Sequence, residues 1–205
     1  MLAEILHKLA GQFEQEDHKY YPRPSLAGPD RCIRQMVYWG LNIQRDDLPG
    51  RTYHVFNDSS WHEDLTADWI RKSAYQIHSE QMEIKATDGD MTLTGHIDGI
   101  LTDPMGEDYL LEHKAINHFT FQKYAAGELP LDYLSQVALY LYGLRIDQPD
   151  LKKFILLIKN KNTSAYLEFS GYLDGTTLMV TDLIDSNGGH TEINREFPNI
   201  IEETF

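Results

Sequence analysis

Two acids and one lysine stand out in residues 95–115, GHIDGILTDPMGEDYLLEHKA, which consist of two strand-like runs joined by a turn. Asp98 lies near the end of the first run, and Glu112 and Lys114 lie near the end of the second. Because strand side chains alternate between faces, these three groups can converge on one side of a twisted hairpin, and His113 should point to the other side. The sequence therefore predicts one small site with two carboxylates and an amine.

The chemistry of such a site is that of a hard divalent cation. A pair of carboxylates is a sufficient protein contribution to Mg²⁺, which keeps several waters. The amine of Lys114 either positions or deprotonates an attacking water, or it stabilises charge on a phosphate as a cation. Metal-assisted hydrolysis of a phosphodiester requires this set of groups.

The composition indicates one domain. The chain has 205 residues with 41% hydrophobic content, and we divide it into an N-terminal helical part (1–50), a catalytic core (51–160) and a C-terminal hairpin and tail (161–205). The single cysteine, Cys32, cannot form an internal disulfide, which indicates a reducing compartment. We expect a cytoplasmic protein, encoded by a bacterium or a phage. No stretch approaches the length of a membrane span, so we expect no membrane partner.

The charge of the chain is strongly acidic, with a formal net charge of −14 at pH 7. This charge argues against a protein that coats nucleic acid through bulk electrostatics. It does not exclude an enzyme that acts on DNA, because such an enzyme needs only a local basic track, and a bound cation offsets part of the acidic excess.

Two helices are predicted before the first candidate residues. Residues 2–18 have an amphipathic pattern, and residues 31–41 have a second one with Asp30 as its N-cap. We expect Cys32, in the second helix, to face the core.

A longer helix is predicted over residues 59–81. Ser60 is its candidate N-cap, and Glu63 is the capping-box partner three residues later. This register places His62 in the first turn of the helix.

Strands are predicted in two parts of the chain, as an antiparallel meander of three over residues 80–116 and as a buried strand with its partner over residues 151–173. Two helices are predicted between them, over residues 117–144, and Gln136 and Tyr140 are neighbours on one face of the second. The last thirty or so residues give no firm prediction. The order of elements predicts a mixed α/β (α+β) fold, in which a central mixed sheet with an antiparallel meander is flanked by helices.

Five separated pieces carry a recognisable pattern. They are CIRQMVY (32–38), SSWHEDL (59–65), GHID (95–98), EHK (112–114) and PLDYLSQVALY (130–140). In this order they resemble the PD-(D/E)XK nucleases, in the branch of the RecB nuclease domain, the CRISPR-associated RecB-like exonucleases and the mitochondrial genome-maintenance exonuclease. The resemblance implies a restriction-endonuclease-like core.

The resemblance also implies a metal site. Asp98 and Glu112 would bind one or two Mg²⁺ or Mn²⁺ ions, joined by His62 from its helix and by the backbone carbonyl of His113. Lys114 would be catalytic. Many members of the branch hold an iron–sulfur cluster with three further cysteines after the last helix, and this chain has none there, so no cluster is expected.

Further residues would support the catalytic set or hold DNA. By resemblance, Gln136 orients Lys114 or a phosphate, and Tyr140 supports the DNA strand. A basic track for phosphates is predicted from five residues, Arg31, Arg34, Tyr38, Lys159 and Lys161, because guanidinium groups suit phosphate oxygens. The arginines are equally compatible with solvated surface charges.

The function implied is a metal-dependent DNA exonuclease that leaves 5′-phosphate and 3′-hydroxyl ends, in DNA recombination, repair or degradation. Its partner would be DNA ends, single- or double-stranded, and the sequence is compatible with a homo-oligomer. Two alternatives stay open: a non-catalytic DNA-binding or assembly module on a nuclease fold, and a metal-dependent phosphohydrolase of small phosphate esters. An isolated E-x-K on a strand is more often a surface ion pair, and GHID ahead of it is what favours catalysis.

Overall fold

The structure, a computed structural model, describes residues 2–13, 21–29, 31–41, 43 and 48–205. Nine strands are described: β1 (Gln76–His78), β2 (Glu83–Asp88), β3 (Met91–His96), β4 (Gly99–Thr102), β5 (Asp108–Ile116), β6 (Lys153–Asn160), β7 (Tyr166–Asp174), β8 (Thr177–Asp185) and β9 (His190–Phe197). The described α-helices are α1 (Leu2–Phe13), α2 (Ile33–Gly40), α3 (Gly50–Arg71), α4 (His118–Ala125), α5 (Leu131–Leu144) and α6 (Ile200–Thr204), and a 3-10 turn spans Pro24–Leu26.

Seven strands form one central sheet in the order β1-β4-β5-β6-β7-β8-β9, and β2 and β3 form a separate antiparallel ribbon. The β5–β6 pair is parallel, and the other described pairs of the central sheet are antiparallel. Parallel neighbours cannot be joined by a tight turn, so the chain crosses from β5 to β6 through α4 and α5. The fold is thus mixed α/β, with a mostly antiparallel sheet and flanking helices.

The two faces of the sheet bury different residues. Leu110 and Ile116 of β5 pack into the main core with the apolar side chains of α5. The side chain of Leu111 points to the opposite face of β5 and packs with Ile70 of α3. Even-numbered residues of β5 therefore face α5, and odd-numbered residues face α3.

Several predicted elements are confirmed. Helix α2 and the crossover helices α4 and α5 lie where periodicity predicts them, and β6 and β7 pair antiparallel as predicted. The predicted first helix is described as far as Phe13. The rest of it, and the predicted cap Asp30, lie outside the described residues.

Four predictions are wrong. The helix predicted over residues 59–81 ends at Arg71, and Gln76–His78 form strand β1 instead. Helix α3 begins at Gly50, so Ser60 lies mid-helix with its hydroxyl donating to the Phe56 carbonyl, 3.4 Å away, and does not cap anything. Cys32 is exposed and does not face the core. The middle strand of the meander is broken after His96 into β3 and β4, which belong to different sheets.

Within the described residues, no helix combines the length and apolarity needed to cross a membrane.

Candidate active site

The break between β3 and β4 positions Asp98. Strand β4 pairs with β5 only as far as Leu111, which leaves the next part of β5 without a strand neighbour on that side. Asp98 occupies this gap, and its Oδ2 accepts a hydrogen bond of 2.6 Å from the backbone N–H of His113. The N–H and C=O groups of one strand residue point to the same side, so the His113 carbonyl also faces the gap.

Glu112 and Lys114 lie on the α5 face of β5, as alternation predicts. Glu112 is only 1% exposed, and its Oε1 forms an ion pair with the Lys114 amine. Its second oxygen, Oε2, is buried without a hydrogen-bond partner among the described residues. The Lys114 amine also lies 5.5 Å from the ring centroid of Tyr133 in α5. A carboxylate this deeply buried is costly unless another charge compensates it.

A third carboxylate, Glu63 of α3, completes the cluster, and sequence reasoning did not identify it as a site residue. It lines one cavity together with Asp98 and His113, and its Oε1 accepts a 3.3 Å hydrogen bond from Gln81. Glu63 lies on the same face of α3 as Thr66 and Ile70, which line the same cavity. Its helical spacing from these two residues was the available signal in the sequence.

The electrostatics of the cluster are those of excess negative charge. Burial, followed by the charge of Asp98, raises the pKa of Glu63 to about 7, and burial and Asp98 also raise the pKa of Glu112. Burial likewise raises the pKa of Asp98. Burial alone would lower the pKa of the Lys114 amine, but Glu112 and Asp98 outweigh it, and this pKa is raised. Lys114 is therefore held as a cation.

Helix α5 supports the cluster from one side. The Tyr140 hydroxyl donates to the His96 carbonyl at 2.8 Å, and the Gln136 amide donates to the Tyr140 oxygen at 3.3 Å. A side chain at Gly95 would come within 2.9 Å of that hydroxyl oxygen, so the glycine permits the close approach of β3 to α5. Gln136 and Tyr140 thus hold the end of β3, two residues before Asp98. Burial, followed by the charge of Glu112, raises the pKa of Tyr140.

His62 and the His113 side chain lie on the α3 face of the sheet. Burial, followed by the charges of Lys114 and Lys159 and by His62, lowers the pKa of His113 to about 3. Burial and Lys159 lower that of His62. The charges that act on His62 are those of Lys159, Lys161 and Asp58, and the Trp61 ring lies 5.7 Å from it between centroids. The structure brings Glu63, rather than His62, to the carboxylates.

The residues predicted for the DNA track are dispersed. Arg31 lies 3.4 Å from Asp132 at the start of α5, which ties it to the fold, whereas Arg34 and Tyr38 are exposed on α2. Lys161 donates to Ser59 of α3 at 2.7 Å. Lys159 is only 3% exposed and does not lie on the open surface with Arg34 and Tyr38.

The donor set was tested against a divalent cation. In the part of the chain that the structure describes, no three or more His, Cys, Asp and Glu side chains form a ready-made metal cluster. The chemistry of the donors nevertheless suits Mg²⁺ or Mn²⁺, because these ions take carboxylate and carbonyl oxygens and keep waters. The unpartnered Glu112 Oε2 and the excess negative charge are what such an ion would satisfy.

Comparisons with known proteins add little beyond the geometry. No model of a protein family matches the sequence, and no curated protein matches it. Among solved structures, the chain is similar to the crystal structure of SSO0001, with 17% identity and a TM-score of 0.46 over 85% of this chain and 79% of that one. At this level the similarity carries no argument about function.

Proposed function

We propose that the protein is a Mg²⁺- or Mn²⁺-dependent deoxyribonuclease with a PD-(D/E)XK, restriction-endonuclease-like core. The observation that carries the proposal is the buried Glu112, paired with the Lys114 amine on one face of β5 and adjoining Asp98 in the gap where β4 ends. A surface ion pair would not need this burial. The chain offers, at one strand edge, the two acids and the amine that phosphodiester hydrolysis requires.

The metal would be held by oxygen atoms around this gap. Asp98, Glu112 and the His113 carbonyl are the proposed ligands, and Glu63 is a further donor that faces Asp98 from α3. Three carboxylates against one amine leave two negative charges in excess, which equals the charge that one divalent cation neutralises. A bound ion of this kind lowers the pKa of a coordinated water and offsets charge on the phosphate.

Lys114 contributes as a cation. Because Glu112 and Asp98 keep it protonated, its role in this arrangement is to stabilise negative charge developing on a phosphate and to orient a water by donating to it. Tyr140 and Gln136 act through position: they hold the backbone at His96, and thereby the approach to Asp98. The exposed Arg34 and Tyr38 of α2 are the proposed contacts to the DNA backbone.

The preference for DNA ends and the 5′-phosphate and 3′-hydroxyl products rest on the resemblance of the five sequence pieces to the RecB-like branch. This inference is an analogy at the level of the family. A role in DNA recombination, repair or degradation follows from the same analogy.

The test is Mn²⁺-dependent digestion of end-labelled linear DNA and of closed circular DNA. We expect the wild type to degrade the linear substrate and Lys114→Met to lose about 10²–10³-fold in rate, the usual cost of removing one preorganised donor. Methionine keeps the length of the buried stem, and Lys85→Met, on the ribbon strand β2, is the matched control.

The outcomes separate the alternatives. Equal cleavage by Lys114→Met, or none by the wild type with Mn²⁺, would contradict the nuclease proposal. DNA binding without cleavage would favour the non-catalytic module. Hydrolysis of p-nitrophenyl phosphate without DNA cleavage would favour the small-ester phosphohydrolase, and cleavage of the closed circle would indicate an endonuclease.

A further inference from the structure

A second polar cluster lies on the α3 face of the sheet, across β5 from Glu112. Its centre is Lys159, which pairs in register with Tyr166 of the neighbouring strand β7. The Lys159 amine lies 5.4 Å from the Tyr166 ring centroid, and the Tyr166 hydroxyl shares a 3.2 Å hydrogen bond with Thr66 of α3. This cluster has no part in the proposed hydrolysis.

Lys159 is a buried cation without a counter-ion among the described residues. It is 3% exposed, and its described contact is the ring of Tyr166. The carboxylates on the same face form no described ion pair with it: the Asp182 carboxylate pairs with His190 at 2.7 Å, and burial, followed by the charge of Asp182, raises the pKa of Glu168 and so disfavours its charged form. Burying a charge without a partner is costly, so an anion is the group that this position lacks.

The nearest polar neighbours of Lys159 on this face do not supply that anion. The Nδ1 atom of His62 and the Nε2 atom of His113 are buried without hydrogen-bond partners, and Lys159 contributes to the lowered pKa of both rings. Lys161 donates to Ser59 and adds further positive charge. The charge of Asp58 acts on His62 and Lys161, so the cluster combines two lysines with one acid within a chain of net charge −14.

A groove of about 530 Å³ runs beside Lys159, between α3 and strands β6 and β7. Leu65, Ile70 and Leu157 give it an apolar wall, and Trp69 lies at its side with 60% of its surface exposed. Ligand sites of this size are typically apolar with a few placed polar groups. An aromatic ring beside a buried amine suits a ligand that is planar at one end and anionic at the other.

We propose that this groove binds a nucleoside monophosphate, with the phosphate on Lys159 and the base on Trp69. The charge complementarity of the unpaired amine argues for the phosphate, and stacking on an exposed indole is available to any base. The choice of a nucleotide over other aromatic anions rests on the proposed function, since an exonuclease that leaves 5′-phosphates releases this compound. The groove would then be a product site, separate from the carboxylate cluster.

The experiment is equilibrium binding of dAMP in EDTA, where hydrolysis cannot occur, with deoxyadenosine and inorganic phosphate as separate ligands. We expect Lys159→Met to weaken dAMP and phosphate binding by at least about tenfold, the effect of losing one charge-assisted hydrogen bond. Trp69→Ala should weaken dAMP and deoxyadenosine but leave inorganic phosphate unchanged. Because Trp69 is exposed, Trp69→Ala should fold, so it tests the proposal even if the buried Lys159→Met variant does not fold.

Lys85→Met and Trp61→Ala are the matched controls, since Lys85 is exposed on β2 and Trp61 is an exposed tryptophan of α3 outside the groove. The proposal is overturned if the wild type does not bind dAMP, if Trp69→Ala binds it as tightly as the wild type, or if Lys114→Met abolishes binding, which would assign the nucleotide to the carboxylate cluster. If the wild type binds dAMP but does not cleave DNA, the proposed nucleotide site is supported and the nuclease proposal is contradicted. If it cleaves DNA but does not bind dAMP, the nuclease proposal is supported and the nucleotide site is contradicted.

Discussion

Three acidic side chains lie near one amine at the edge of β5, so their negative charges are not equally compensated. Lys114 pairs directly with Glu112, while Asp98 accepts its hydrogen bond from the His113 backbone. Glu63 has only the amide of Gln81 as a described hydrogen-bond partner. The protein itself consequently compensates the negative charge of Glu63 least. We therefore expect a bound cation to change the ionisation of Glu63 strongly.

Glu63→Gln should therefore separate stability from metal binding. Removing one negative charge beside Asp98 relieves repulsion, so the metal-free variant should unfold at a higher temperature than the wild type at pH 7. Its affinity for Mn²⁺ should fall by about 10–100-fold, as for other residues that support a metal site. Thermal unfolding in EDTA and calorimetric titration with Mn²⁺ measure the two effects.

Glu83→Gln is the control, because Glu83 is exposed on β2 and pairs with Lys85. It should change neither quantity. A Glu63→Gln protein with unaltered Mn²⁺ affinity would remove Glu63 from the proposed ligands, and one with a lowered unfolding temperature would show that the repulsion is not significant.

At the scale of single residues, strand alternation, a local rule, was enough to place Glu112 and Lys114 on one face of β5. Asp98 lies in the break between β3 and β4, so alternation did not position it. Glu63 could not be predicted in the same way. Ser60 and Glu63 match a capping box, but the helix had already started ten residues earlier, after Pro49. Local capping signals do not report where tertiary packing extends a helix.

Helix α5 lies close to the β2–β3 ribbon at Gly143. A Cβ atom there would lie 2.5 Å from the Ile84 Cγ2 atom and 2.9 Å from the Lys85 carbonyl oxygen, and that backbone atom cannot rotate away. We predict that Gly143→Ala lowers the free energy of unfolding by about 1–3 kcal/mol, as overpacking does elsewhere. Urea unfolding measures this change.

Gly11→Ala in α1 is the matched helical control. Its added Cβ would meet nothing closer than 3.8 Å, so the variant should keep the wild-type stability or gain up to about 1 kcal/mol from helix propensity. If Gly143→Ala behaved like Gly11→Ala, the contact between α5 and the ribbon would be loose, and the role assigned to Tyr140 in holding β3 would lose support.

Among the elements, β6 and α5 were predictable because their sequences have strong, uninterrupted apolar patterns. The break after His96 was not, because residues on both sides of it continue one strand-like alternation. Sheet membership depends on which strand arrives as a partner, and that information is not local. The same reason explains why β8 and β9 gave no firm prediction, although Gly188 and Gly189 lie in the turn that joins them.

The stability of the whole molecule should fall as the pH rises, and a divalent cation should reverse this loss. The folded state raises the pKa of Glu63 from 4.5 to about 7 and raises that of Glu112. A raised carboxyl pKa means that the folded state binds the proton more tightly than the unfolded chain. This contribution to stability is complete below pH 4.5 and is lost as the pH rises through 7. The metal-free protein should therefore lose stability between pH 5 and pH 8.

Mg²⁺ should restore this stability at pH 8 and have little effect at pH 5. At a concentration 100 times its dissociation constant, a ligand of the folded state adds about 2.7 kcal/mol, which corresponds to roughly 5–10 °C in the midpoint for a chain of this size. Thermal unfolding at the two pH values, with EDTA or MgCl₂, measures the difference.

Sodium chloride at matched ionic strength is the control, because the net charge of −14 makes screening alone stabilising. If NaCl raised the unfolding temperature at pH 8 as much as MgCl₂ does, the proposed metal site would be contradicted. An equal increase with Mg²⁺ at both pH values would also contradict it. Glu112→Gln should reduce the difference between the two pH values.

The parallel pairing of β5 with β6 has a consequence for how the protein is made. Residues Tyr109–Ile116 find their parallel partners in Lys153–Asn160, across the whole of α4 and α5. During synthesis on a ribosome, Asp98, Glu112 and Lys114 emerge well before the strand that covers one edge of β5 and before the helix that covers its face. An incomplete chain thus contains every proposed catalytic group without the surrounding structure that sets their ionisation, and it should acquire activity only after the chain has been made through Asn160.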